Sequence, residues 1–255
     1  MTPNLHLTHP APHVAQVTLS QPARRNAVNA AMWGGLPLLL RDAADARVLI
    51  LTGDGEHFAS GADISEFESL YATPEDSADI SAAISHAMES VAAFPAPTIA
   101  MIRGACVGGG AGLALACDLR FADTTAKFAI TPAKLGLVYP FADLRRLADT
   151  VGLANAKDIL LSARLFGADE AKQLGFIHRL TPPEDLENEV MDYAESLVGL
   201  SPESLRSTKA MFRLYASGQR EETDRTRKLF LDGFSSADFE EGYRAFLEKR
   251  KPEFG

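Results

Sequence analysis

The stretch that decides the fold is GACVGGGAGLALACD, residues 104–118. Three consecutive glycines, Gly108 to Gly110, lead straight into an apolar segment of helical character. Such an arrangement brings bare backbone N–H groups up to something negative or electron-rich. Between Gly104 and Cys117 there is no carboxylate, histidine or cation, so whatever the loop holds must be acted on by groups from elsewhere.

Working outward, FPAPTIAMIRGACV reads as one buried strand that ends at the glycines. Upstream, LHLTHPAPHVAQVTLS gives two short strands around a Pro-rich turn, NAVNAAMWGGLPLLLRDAADA a helix, and RVLILTG a buried strand. The loop GEHFASGAD follows, then a helix whose apolar residues Ile80, Ile84, Met88, Val91 and Phe94 recur at three- and four-residue spacing. After residue 183 strand signals stop, and helical patterns cover 184–199, 201–217, 220–233 and 236–250. The expected organisation is an α/β core over 1–195 with a helical region over 196–255.

Two loops share one design. FASGAD, residues 58–63, follows RVLILTG, and GACVGGGAG, residues 104–112, follows PTIAMIRG. Both expose peptide N–H groups at helix starts. If their parent strands are neighbours, one N–H from each converges on a single oxygen, the geometry that stabilises an enolate or tetrahedral oxyanion. Spacing alone equally allows the glycines to serve only tight helix-on-sheet packing.

Composition excludes several classes of function. The 255 residues are 46% hydrophobic and 23% charged, the makeup of a globular chain able to bury a core. No apolar run reaches the ~20 residues that span a bilayer, and MTPNLHLTHP lacks the basic flank and apolar segment of a signal peptide. These features lead us to expect a cytoplasmic protein with no membrane partner. Residues 1–200 carry 14 Lys and Arg against 24 Asp and Glu, which disfavours nucleic acid. Local basic spots remain at Arg24-Arg25 and Lys249-Arg250-Lys251. Cys106 and Cys117 fit neither a zinc motif nor a disulfide framework and read as packed thiols. A phosphate-binding G-x-x-x-x-G-K-[ST], a dinucleotide G-x-G-x-x-G and a G-x-S-x-G elbow are all absent. Of six histidines only His57 stands near a candidate site.

At these residues the sequence resembles the crotonase superfamily, the enoyl-CoA hydratase/isomerase family. FASGADI followed by GACVGGGAGLALACD carries the likeness, with QPARRNAVN before it and FAITPAKLG and EGYRAFLEKRKPEF after it. The resemblance implies a spiral of ββα units with a C-terminal helical region, assembled as a homotrimer or dimer of trimers. It implies action on acyl-coenzyme A thioesters, with coenzyme A part of the substrate and no separate cofactor or metal. The thioester carbonyl would accept hydrogen bonds from the N–H groups of Ala62 and Gly109. Arg24, Arg25, Ala27, Ser60, Asp63 and Ile64 would line the coenzyme A channel, and Phe246 and Lys249 would reach the nucleotide end, often in a neighbouring subunit.

The chain also departs from the family pattern. Hydratases of the family place two glutamates where this sequence has Gly112 and Pro132, and water addition needs a positioned acid and base. Where relatives continue L-G-x-x-P-G-A-G-G, this chain has LGLVYPFAD, which introduces Tyr139 and Asp143. The segment resembles the methylmalonyl-CoA decarboxylase branch, which keeps the oxyanion hole and has a tyrosine here. The expectation is an enolate-forming lyase or isomerase, the alternative a non-catalytic acyl-CoA binding subunit. Tyr139 is a candidate proton donor or only a pocket wall. Asp143 is a candidate acid or the N-cap of the helix DLRRLADT.

Overall fold

A computed structural model describes residues 4–255. Its element order is β1 (Leu5–Ala11), β2 (Val14–Leu19), α1 (Ala30–Asp42), β3 (Val48–Gly53), α2 (Phe67–Leu70), α3 (Pro74–Ala92), β4 (Thr98–Ile102), β5 (Ala105–Val107) and α4 (Gly109–Ala116). There follow β6 (Leu119–Asp123), β7 (Lys127–Ala129), α5 (Phe141–Val151), α6 (Leu153–Ser162), β8 (Phe166–Gly167), α7 (Ala168–Gln173) and β9 (Arg179–Thr181). Four helices close the chain: α8 (Leu186–Val198), α9 (Pro202–Ala216), α10 (Asp224–Asp232) and α11 (Ala237–Glu248).

A six-stranded sheet runs β1-β2-β3-β4-β6-β9, and a three-stranded sheet runs β5-β7-β8. Apart from the β1–β2 hairpin, neighbours in the large sheet are parallel. Successive passes of the chain place one strand in each sheet: β4 then β5, β6 then β7. The same alternation begins after β3, where Ala59 bridges Cys106 in parallel. The expected single strand FPAPTIAMIRGACV is therefore two strands in two sheets. Gly104, with φ +49, makes the corner between them.

Both faces of the large sheet are covered, which is why its strands read as continuous apolar runs rather than alternating ones. Leu49 and Leu51 of β3, with Ala100 and Ile102 of β4, join the main core with α1, α3 and α4. Val48, Ile50, Ile99 and Met101 point the other way, onto Leu186, Val190 and Ala194 of α8. Residue 195, the expected boundary, thus lies within a helix that packs on the sheet.

Helix α4 sits at the centre, and every residue from Gly110 to Ala116 is buried. A helix apolar all round belongs in a core rather than at a surface. Two glycines let it start there. Gly108 holds φ +53, and a Cβ at Gly110 would lie 2.4 Å from the Ala59 carbonyl oxygen, so only glycine allows that approach. Beyond the C-terminus of α4, Asp118 accepts bonds from the Thr98 N–H (2.7 Å) and Lys209 Nζ (2.6 Å), which ties α9 to the end of the sheet.

Candidate active site

Parallel strands β3 and β4 lie side by side, in the register Leu51 to Ala100, so the loops that leave them run together. Ala59 N–H donates to Ala105 O (2.9 Å), Val107 N–H donates to Ala59 O (2.9 Å), and Ala105 N–H donates to His57 Nδ1 (3.2 Å). His57 is a staple between the loops. On the outer side, Val28 accepts from the Asp63 N–H (3.0 Å) and donates to Gly61 O (2.7 Å). Backbone alternation then turns the Ala62 N–H to the opposite side, toward the glycine loop.

There it meets Gly109. A Cβ built on Gly109 would lie 3.5 Å from the Ala62 nitrogen, and one on Gly61 would lie 3.6 Å from the Gly109 nitrogen. Neither N–H donates to a carbonyl of the described residues. Gly109 is the first residue of α4, where intrahelical partners are lacking by construction. Two adjacent free donors at a helix start are competent to hold one developing oxyanion.

Both residues line a cavity of about 280 Å³. Its wall also includes Ser60, Ile64, Pro132, Tyr139 and Asp143, together with Trp33, Tyr71, Ile84 and Met88. Asp143 is the only carboxylate among the lining residues. It is 6% exposed, and burial pushes its pKa above the ordinary carboxylate value, against the pull of Arg146. Arg146 Nη1 donates to it at 2.7 Å, and Arg146 Nη2 donates to Glu89 at 2.6 Å.

The expected N-cap role of Asp143 is not found. Helix α5 begins two residues earlier, at Phe141, with Pro140 in the cap position and no side-chain cap bond. Proline is fixed near helical φ and can end the preceding extended segment, so the helix opens before the aspartate, whose carboxylate pairs with Arg146 one turn on.

Tyr139 brings its ring to the core, and its Oη is buried with no hydrogen-bond partner among the described residues. Burial first, then the nearby Asp143, pushes the phenol well above its usual range, so it stays protonated. A Cβ at Gly112 would lie 3.6 Å from this oxygen. The phenol therefore stands beside the position to which the resemblance assigns a glutamate.

The remaining expected residues divide into a rim and a distant helix. Ser60 N–H donates to Arg25 O (2.9 Å) and Ser60 Oγ to Arg24 O (3.0 Å), so the 21–27 turn and the 60–64 loop form one rim. Asp63 does not line the cavity. Its carboxylate accepts from Arg24 (2.7 Å), Gln21 (3.1 Å) and Ser65 (2.7 Å). Burial alone would raise its pKa, and the bonds from Ser65, Arg24 and Gln21 together outweigh that and hold it below the usual value. Asp63 thus fixes the loop, and half-exposed Arg24 is committed to it. Ala27 is buried beneath the rim. Phe246 is 82% exposed on α11, and Lys249 ends that helix in the left-handed region at φ 56. Neither lines the cavity of its own chain.

This fold and paired-loop geometry can be set beside known proteins. The enoyl-CoA hydratase/isomerase family model matches residues 11–255. The chain belongs to that family. A Thermus thermophilus protein assigned as an enoyl-CoA hydratase is 38% identical over 247 residues, 95% of this chain and 97% of its own. The peroxisomal Delta(3,5)-Delta(2,4)-dienoyl-CoA isomerase of Arabidopsis thaliana is 31% identical, covering 94% of this chain and 92% of its own. Among solved structures, a Hyphomonas neptunium protein assigned to the hydratase/isomerase family superposes with a TM-score of 0.96 at 44% identity, over 100% of this chain and 98% of that one. The α/β architecture is accordingly the crotonase fold expected from the motifs.

Trp33, Tyr71 and Met88 were not recognised as cavity residues in the sequence. Met88 belongs to an apolar stripe at helical spacing, which reads as core, and it is core as well. Trp33 carried one available signal, as the only tryptophan of the chain. Tyr71 carried none.

Proposed function

We propose that this protein acts on acyl-coenzyme A thioesters, forming an enolate whose oxygen is held by the N–H groups of Ala62 and Gly109, with Tyr139 supplying the proton to carbon. The observation that carries this reading is the buried, unpartnered Tyr139 Oη in the cavity onto which those donors face. A buried hydroxyl without a partner costs roughly 1–3 kcal/mol, and a substrate that meets it offsets that cost.

Decarboxylation of a short malonyl-type thioester uses these parts directly. The bond between the α-carbon and the carboxylate breaks, and its electron pair becomes the carbon–carbon double bond of the enolate as carbon dioxide leaves. The two N–H groups take up the charge on oxygen. Tyr139 then protonates the α-carbon and is itself reprotonated from water. No general base is required, consistent with Gly112 and Pro132 at the positions assigned to glutamates. A second reading, double-bond isomerisation with Asp143 moving the proton, is favoured by the raised pKa of that carboxylate in the same wall and by the isomerase among the relatives. The decisive experiment is a mass-spectrometric screen of crotonyl-, 3-enoyl-, malonyl- and methylmalonyl-CoA. Carbon dioxide release supports the first reading and 2-enoyl product the second. Turnover of none of them leaves an acyl-CoA binding subunit.

Hydration of crotonyl-CoA is expected to be negligible. Neither a glycine nor a proline activates water, and loss of the enoyl-thioester absorbance on mixing would be the contrary result. Asp143 would then be the acid or base to remove first.

Along α9 to α11, Phe212, Phe230, Phe234, Phe246 and Leu247 are each more than half exposed. An apolar face of this extent supports burial against another copy, in keeping with a homotrimer or dimer of trimers whose neighbour completes the nucleotide end of the site. Lys249 makes no ion pair among the described residues. Lys249→Glu should weaken coenzyme A affinity by roughly tenfold, through loss of a charge-assisted phosphate contact, while the melting temperature stays unchanged because an exposed charge contributes little to stability. Calorimetry and a thermal melt of the same preparation check both halves.

A further inference from the structure

We infer that Met88 sets the acyl-chain length this cavity accepts, closing it beyond about four or five carbons; the inference rests on the thioester reading above. Gly109 and Gly112 are three residues apart on α4 and so share a helix face. Gly112 lies about 4.5 Å farther along the axis, the span of roughly three to four extended carbon–carbon bonds. An acyl chain anchored by its carbonyl at Gly109 and lying along α4 therefore arrives over Gly112 at about its fourth or fifth carbon.

That place is filled by a side chain from another helix. A Cβ at Gly112 would lie 2.7 Å from Met88 Cε and 3.3 Å from Met88 Sδ, with Tyr139 Oη next at 3.6 Å. Met88 projects from α3, is 2% exposed and lines the cavity. The thioether thus occupies the volume that a side chain at 112 would take, and it puts an apolar stop where the resemblance places a carboxylate. Methionine suits the role because its unbranched chain fills an irregular gap between two helices. Shortening it opens space at the end of the acyl path while the backbone of α4, which carries the Gly109 donor, is untouched.

The test is calorimetric and uses the full-length protein with saturated acetyl-, butanoyl-, hexanoyl- and octanoyl-CoA, ligands that undergo no enolate-dependent turnover. Wild type is expected to bind butanoyl-CoA at least about tenfold more tightly than octanoyl-CoA, the discrimination typical of a hydrophobic pocket against excess methylenes. Met88→Ala should reduce that ratio by about tenfold or more, through a gain for the longer chains with acetyl-CoA unchanged, and Met88→Leu should keep the wild-type ratio. Because Met88 belongs to the core, Met88→Val is measured in parallel as a milder truncation, with circular dichroism on each variant. Equal binding of all chain lengths by wild type, or a wild-type ratio in a folded Met88→Ala or Met88→Val protein, overturns the assignment of Met88 and leaves the thioester reading standing. A wild type that binds none of the four overturns both.

Discussion

Gly109→Pro should lower turnover by on the order of 100-fold to 1000-fold, the usual cost of one oxyanion-hole donor. Proline removes the N–H, and the position tolerates it better than most: Gly109 is the first residue of α4, where proline's fixed φ suits a helix and the missing donor breaks no intrahelical bond. One steric consequence must be separated out, since a Cβ here would lie 3.1 Å from Trp33 Cζ2 and 3.3 Å from Cη2. Gly109→Ala adds the same Cβ and keeps the donor. The ratio of the two variants therefore cancels the Cβ and reports the loss of the N–H together with the ring carbon that takes its place, and equal activity in Gly109→Ala and Gly109→Pro would remove Gly109 from the oxyanion site. Circular dichroism on both establishes that the crowded loop has held.

The convergence behind this experiment was partly legible in the sequence. VLIL, residues 48–51, and IAMI, residues 99–102, are apolar throughout, which marks strands buried on both faces, and buried strands of an α/β core pair in parallel. Their neighbouring placement, and hence the approach of Ala62 to Gly109, was a condition the sequence could pose but not resolve. Pairing depends on contacts far apart in the chain. The corner at Gly104 was missed for a local reason: the strand on each side is apolar, and a single glycine inside an apolar run reads equally as a bulge. Of the two readings of Asp143, the cap falls because an aspartate before a helical pattern looks like a cap, whereas Pro140, three residues earlier, holds the cap position of a helix that begins at Phe141.

Side chains that owe their place to tertiary packing were the least legible. Met88 is separated from Gly112 by a strand pair and a loop, and nothing in the α3 pattern distinguishes it from Val91 or Ile84. Asp63, which the resemblance places on the coenzyme A channel, accepts hydrogen bonds from three neighbouring residues and ties the 21–27 turn to the 60–64 loop, a role that no local pattern around it announces.

Tyr139→Phe should separate function from stability. The ring and its core contacts remain, and only the Oη is lost. If the phenol delivers the proton, turnover should fall by roughly 100-fold to 10,000-fold, the contribution of a positioned general acid, while thioester affinity changes little, the pattern of an interaction made mainly in the transition state. The folded protein should at the same time gain stability, by about 1 kcal/mol, because the hydroxyl is buried with no partner and its removal relieves a desolvation cost. For a chain of this size that is an upward shift of roughly 2–4 °C in melting temperature. A hydroxyl retained at the expense of stability is the mark of a group kept for the substrate. The two readouts fail independently: a variant with wild-type turnover makes Tyr139 a wall of the cavity, and one with a lowered melting temperature shows that the hydroxyl was satisfied in the free protein after all. If the wild type itself releases no carbon dioxide from malonyl- or methylmalonyl-CoA, decarboxylation is refuted, and the same variant assayed with 3-enoyl-CoA then decides whether the phenol or Asp143 moves the proton.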